Sequence, residues 1–241
     1  MPKDLIRMVS FSGIDGAGKS TQIHALESHL RERGIRLRLY TFWDDVVALP
    51  GVREFISHKA FKGDKGVGSP ENPIVRRDKN VVSWYTTAAR LIFYLLDTLS
   101  LRLTLARISR SADEFIIFDR YIYDELANLP LGSWAMRIYV RMLLALTPSP
   151  DIAFLVDAEP EAAWIRKPEY PLEFLHKNRD AYLALSHFIP QMQVVGPLSV
   201  EETAVKIRQL VGRESSGARL GAIDFQLQYS GSRGDPKTPN S

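Results

Sequence analysis

Eight residues near the amino terminus, Gly13-Ile14-Asp15-Gly16-Ala17-Gly18-Lys19-Ser20, constrain this 241-residue chain more than any other stretch. They fit the spacing G-x-x-x-x-G-K-[ST], and that spacing has a physical basis. Glycines let the backbone curl until consecutive N–H groups point inward at phosphate oxygens, while the following helix offers its positive end. The lysine reaches the β- and γ-phosphates, and the serine hydroxyl can ligate Mg2+. The flanks agree. Residues 5–11 form an apolar run of strand length. Downstream, Ile23, Leu26 and Leu30 fall on one helical face, Glu27 and Arg31 make an i,i+4 pair, and Gly34 ends the pattern. Strand, glycine loop and helix follow one another in the order that a triphosphate-binding loop requires.

The rest of the chain alternates between strand and helix patterns, which predicts an α/β domain with a parallel sheet. Residues 35–40 alternate apolar and polar, as in a strand with one wet face, whereas 115–118 and 152–156 are continuously apolar, as in strands covered on both sides. The second strand is therefore expected at an edge and these two in the centre. A last short strand near 193–195 precedes a helix with a capping box, Ser199 and Glu202. The apolar stretch 91–108 is broken by Asp97, Arg102 and Arg107, so it reads as a core helix and not a membrane span. Residues 57–80 have no periodicity and read as a flap or a disordered segment. Periodicity stops again near 213, so 1–212 is expected to be the folded domain and 213–241 a disordered tail.

Bulk properties exclude more than they identify. With 45% hydrophobic residues the chain can bury a full core, and the net charge of +3 is mild. No lysine or arginine run is dense enough for a nucleic-acid surface. The absence of cysteine excludes disulfides, thiolate metal sites and cysteine nucleophiles, and fits a reducing compartment. With no signal-peptide pattern at the start, the reading is a cytoplasmic protein without a membrane partner.

A second cluster completes the site. Residues 115–121 run Phe-Ile-Ile-Phe-Asp-Arg-Tyr, so a buried strand ends in an acid, a base and an aromatic. Ligands bind at the carboxyl ends of parallel strands, which places Asp119 to hold Mg2+ opposite Ser20 and Arg120 to face a phosphate. Asp15, inside the loop, either positions an acceptor group or a metal-bound water, or stabilises the loop through its own amides. Pro160 opens a helix that breaks at 166–171, concentrating positive charge at Arg166 and Lys167 before a second helix containing Leu172, Leu175, Tyr182 and Leu183. Such a loop suits a short lid that carries a charge-neutralising arginine.

Taken together, these residues resemble the thymidylate kinase family of phosphate-loop nucleotide kinases. The stretch from Phe11 to Gln22, with Thr21 after Ser20, is close to that family's loop. Asp119-Arg120-Tyr121 resembles its second motif, and the Arg166 region with Glu173, Arg179 and Tyr182 resembles its lid. The resemblance implies a three-layer fold around a five-stranded parallel sheet, ATP with Mg2+ as donor, a nucleoside monophosphate as acceptor, and often a homodimer. Lys19, Asp15, Arg120 and Arg166 would then carry the chemistry. Phe93 matches the ring that stacks on the base, and Tyr121 joins the acceptor side. Three departures stand out. The family's arginine after the second strand is replaced by Thr41-Phe42-Trp43-Asp44-Asp45, its base-reading arginine by Asp97, and a small polar residue by Asp124. Arg53 is a candidate to replace the missing clamp.

Phosphorylation of thymidylate is the leading expectation. A nucleoside kinase, with Asp44 or Asp45 as the base that an uncharged hydroxyl needs, would explain the missing arginine. An ATP-binding regulator that has lost transfer activity is the third reading.

Overall fold

The computed structural model describes residues 7–47, 84–108 and 114–215. Five strands, β1 (Met8–Ser12), β2 (Leu37–Thr41), β3 (Phe115–Asp119), β4 (Ile152–Val156) and β5 (Met192–Val195), form one sheet in the order β2-β3-β1-β4-β5. All four pairings are parallel. The flanking helices are α1 (Lys19–Glu32), α2 (Trp84–Ile108), α3 (Ile122–Leu126), α4 (Trp134–Leu146), α5 (Pro160–Arg166), α6 (Leu172–Ser186) and α7 (Val200–Ser215). This is the phosphate-loop α/β/α architecture that the alternating pattern predicts.

Burial follows the apolar pattern of each strand. Every residue of β4 is buried, and Val9, Phe11, Ile117 and Phe118 are closed off from solvent in β1 and β3. Phe11 and Phe154 pack with ring centroids 5.2 Å apart, which couples the two strands that flank the phosphate loop. Polar positions keep β2 at one edge, where it exposes Arg38 and Leu39. Strand β2 begins two residues later and ends one residue later than its alternating pattern suggests, and residues 5 and 6 of the first apolar run lie outside the described residues.

Chain order reverses at β1, whose neighbours β3 and β4 are reached by separate crossovers. A crevice therefore opens at the carboxyl ends of β1, β3 and β4, where ligands bind in such sheets. The capping box forms: Glu202 accepts the Ser199 N–H at 3.0 Å, and Ser199 Oγ accepts the Glu202 N–H at 3.2 Å. Helix α7 continues to Ser215, slightly beyond the expected limit of the folded domain. The flap 57–80, Arg53 and residues 216–241 lie outside the described residues.

Helix α2 is only half the core helix expected. It buries Tyr94, Asp97, Thr98 and Leu101 but exposes Ile92, Leu95, Leu99 and Leu103. Among the described residues, no helix is long and apolar enough to cross a membrane.

Candidate active site

The chain turns directly after β1. Gly13 (φ 140°) and Gly16 (φ 82°) adopt conformations that side-chain-bearing residues rarely take. A Cβ on Gly13 would collide with the Val156 carbonyl oxygen, and one on Gly16 with the Ala163 carbonyl oxygen. The loop is thus seated on the ends of β4 and α5 at backbone-to-backbone distance, an approach only glycine permits. Gly18 caps α1, whose first amides lack intrahelical partners. This glycine cradle, with a helix amino terminus behind it, fits a polyphosphate.

Lys19 is 7% exposed, and its Nζ donates to the carbonyls of Gly13 (2.9 Å) and Ile14 (2.8 Å). The sequence suggests a lysine reaching outward; the structure turns it onto its own loop. Burial and the nearby Arg120 guanidinium lower its pKa to about 8, partly offset by Asp15, Asp124 and Asp119. Ser20 and Thr21 are exposed at the start of α1. Half-buried Asp119 pairs in register with Phe11 and ends β3 beside the loop. Ser20 and Asp119 would supply two oxygen ligands, a donor set suited to Mg2+, which keeps waters and phosphate oxygens in the rest of its shell.

Arg120 is the only non-glycine residue with positive φ among those described, at 67°, a conformation that costs about 1–3 kcal/mol. Its N–H donates to the Phe11 carbonyl at 2.9 Å, so ladder continuity holds the backbone there. Its guanidinium bridges two carboxylates: Nη2 to Asp15 Oδ1 at 2.5 Å and Nη1 to Asp124 Oδ1 at 2.9 Å. The sequence places Arg120 against a phosphate; in the structure it is shared between acids. Burial opposes its charge, but Asp124 and Asp15 outweigh that and raise its pKa above the ordinary value. Burial likewise raises Asp15, yet Arg120, Lys19 and Lys167 outweigh it and hold the carboxyl below its usual range.

Where the sequence reading expects a lid, the structure has α5, a turn at 167–171 and α6. Arg166 closes α5 with Nε donating to the Ala162 carbonyl at 3.0 Å, and its Nη1 lies 3.7 Å from where a Gly18 Cβ would stand. It therefore flanks the phosphate loop. Arg179 ties α6 to the segment between β4 and α5, donating from Nε and Nη2 to both Asp157 oxygens (2.7 and 2.8 Å) and also bonding both Glu159 oxygens.

The residues expected on the acceptor side are less assembled. Phe93 is half-buried on α2, and Asp97, one turn later, is fully buried. Tyr121, expected to meet the acceptor, has its ring enclosed against Phe118 (5.2 Å) and Tyr123 (5.0 Å), and its hydroxyl donates to the Pro148 carbonyl. Its bulk serves the core, because a ring ending a buried strand gains more from packing than from exposure. Asp44 and Asp45 are exposed on a single π-helical turn, Phe42–Val46, that follows β2, and Asp45 Oδ2 accepts the Thr41 N–H at 2.6 Å. Their strand ends next to Asp119.

The thymidylate kinase of Dinoroseobacter shibae is 30% identical to this chain over 201 residues, which is 78% of this chain and 87% of that relative. The chain belongs to the thymidylate kinase family. A probable thymidylate kinase of Thermococcus kodakarensis is 27% identical over 222 residues, covering 86% of this chain and 99% of that protein. The thymidylate kinase of Chlorobium luteolum is 26% identical over 179 residues, covering 72% and 73%. No family model matches the chain. Set among the thymidylate kinases, the crevice brings Ser12, Asp124 and Tyr182 together, which sequence reasoning leaves apart: Asp124 as an acceptor-side departure, Tyr182 within the lid resemblance and a helical stripe, and Ser12 only within the stretch that resembles the family's loop. Asp157 had a usable signal: it is an acid ending a buried strand, as Asp119 is.

Proposed function

We propose that the chain transfers the terminal phosphoryl group of ATP to a nucleoside monophosphate, thymidylate first among them. The observation that carries this reading is the glycine cradle with buried Lys19 beneath it and Arg120 and Arg166 on either flank. Amides of the loop and Lys19 would hold the β- and γ-phosphates, and Ser20 and Asp119 would hold Mg2+, which when bound neutralises phosphate charge. The protein's own work is positioning and charge stabilisation, the main requirements of phosphoryl transfer. Arg166 approaches from the lid and Arg120 from β3, so positive charge converges from two directions on the transferring group. The test is Mg·ATP with a panel of nucleosides and monophosphates. Product from thymidine monophosphate supports the reading.

One observation favours a nucleoside acceptor as the second reading. Arg120 is already engaged by two carboxylates, and exposed Asp44 stands at the carboxyl end of β2. Phosphorylation of thymidine but not of its monophosphate would select it. ATP binding without transfer to any acceptor would select a regulator.

We further propose that two copies pair through α2 and α4. The Tyr139 hydroxyl donates to the Leu91 carbonyl, and Arg102 donates to the Leu146 carbonyl at 2.7 Å, which aligns the two helices side by side. The stripe Ile92, Leu95, Leu99, Leu103 then runs beside Trp134, Ile138, Met142, Leu146, all exposed. Eight exposed large apolar side chains on two adjacent helices make the kind of contiguous patch that marks an interaction surface. Sedimentation should show a dimer that Ile138→Glu converts to monomer. A monomeric parent at tens of micromolar, on the order of ordinary assay concentrations, would overturn it.

A further inference from the structure

Asp124 stands where the family resemblance puts a small polar residue, and it is 4% exposed. A carboxylate this deeply buried needs donors, and it has four from three parts of the fold. Ser12 Oγ donates to Oδ2 at 2.6 Å from the end of β1, immediately before the phosphate loop. The Tyr121 N–H reaches Oδ2 at 3.3 Å from the start of α3. Arg120 Nη1 reaches Oδ1 at 2.9 Å, and the Tyr182 hydroxyl donates to Oδ1 at 2.7 Å from lid helix α6. One side chain thus joins the loop, the end of β3 and the lid.

The two carboxylates on Arg120 are not equivalent. The Asp15 side chain is 21% exposed and that of Asp124 only 2%. Asp15 also lies in the field of Lys19 and Lys167, so it has other cations to turn to. An arriving phosphate oxygen can therefore take Nη2 from Asp15, while Nη1 stays with Asp124. The buried bond is the pivot and the open one is exchangeable. A serine at this position is too short to reach Arg120 and Tyr182 together.

We propose that Asp124 is a positioning residue for phosphoryl transfer, holding one edge of the Arg120 guanidinium so that the other edge is presented at the mouth of the phosphate loop. The proposal rests on the transfer reading above, and its test separates the two. The first measurement is nitrogen-15 NMR of the Arg120 guanidinium, assigned by its absence in Arg120→Lys protein, without any nucleotide. Slow rotation about the guanidinium bonds is expected in the parent and fast rotation in Asp124→Asn. The second is steady-state kinetics: Asp124→Asn and Asp124→Ser should lose ~10- to 100-fold in kcat, with KM for ATP changed less than about threefold. Tyr182→Phe, which removes one donor and keeps the ring, should give a smaller kcat loss of the same kind and serves if the Asp124 variants do not fold. A freely rotating Arg120 in the parent overturns the proposal. So does an Asp124→Ser enzyme as active as the parent, or a loss appearing equally in ATP affinity. If the parent transfers phosphate to no acceptor, the kinase reading fails, and the NMR comparison alone decides whether Asp124 holds Arg120.

Discussion

The proposed donor and acceptor rims of the crevice are built from different material. On the donor rim, backbone does the work: glycines bring main chain onto main chain at Val156 and Ala163, and amides and carbonyls surround Lys19. On the proposed acceptor rim, side chains do it, and they come from the turn after β2, from α2 and from α3, which are far apart in sequence. A backbone-made site needs a particular local sequence, because only certain residues allow the required φ values and close approach. A side-chain-made site needs only that suitable groups converge, and many sequences achieve that. A donor rim of this kind is therefore constrained and an acceptor rim is free to diverge; Asp97 and Asp124 stand where the family resemblance implies other residues.

The largest expected effect lies on the donor rim. Lys19→Ala should lower transfer by ~1,000-fold or more and weaken Mg·ATP binding, whatever the acceptor, since the charge serves the shared phosphate. Coupled-assay kinetics and calorimetry with Mg·ATP would measure both. An alanine enzyme with parental turnover would break the contrast between rims at its root.

Next comes the seating of the loop itself. Gly16→Ala should cost about 2–4 kcal/mol in urea unfolding, combining a left-handed φ with a collision against the Ala163 carbonyl. The loop should also lose ATP affinity, because relieving the clash moves α5 and its Arg166. If stability were unchanged, main-chain contact would not be what shapes this rim.

The same division explains what was legible beforehand. The order of strand, glycine loop and helix could be read because the phosphate loop is contiguous, and the buried centre of the sheet could be read because residues 115–118 and all of β4 are apolar. The edge position of β2 followed from its alternation. The Asp15–Arg120–Asp124 triangle could not be read, because its members are 105 and 4 residues apart and meet only once β1 and β3 pair. The bond from Tyr182 to Asp124 was hidden for another reason: the ring keeps the helical spacing of a core residue, and only the tip of the side chain is polar. Tyr121 misled in the opposite direction, since its place beside Asp119 and Arg120 suggested contact with a ligand while its ring fills the core.

A sharper test of the acceptor rim uses Phe93. Phe93→Ala should raise KM for the acceptor about tenfold while changing KM for ATP less than twofold, the loss expected for one stacked ring. Equal effects on the two substrates would mean that this ring packs α2 against its neighbours and does not define an acceptor rim at all.

The smallest effect is a pH dependence, and it returns to Lys19. Its folded pKa of about 8 lies below the ordinary 10.5, so the folded state disfavours the charged form. Below pH 8 that penalty on ligand-free stability is fully present; as pH rises from about 8 toward 10.5 the unfolded chain still holds the proton that the folded chain has released, and stability gains. Binding has the opposite sign, because phosphate needs the ammonium. Mg·ATP affinity should fall about fourfold between roughly pH 7 and 8.5, the change in protonated fraction for such a group. Lys19→Met should abolish both trends, flattening the rise in unfolding free energy and the fall in affinity measured by calorimetry. If the methionine variant kept the parental slopes, the titrating group would be elsewhere, and the lysine would be an ordinary exposed cation, contrary to its enclosure by the Gly13 and Ile14 carbonyls.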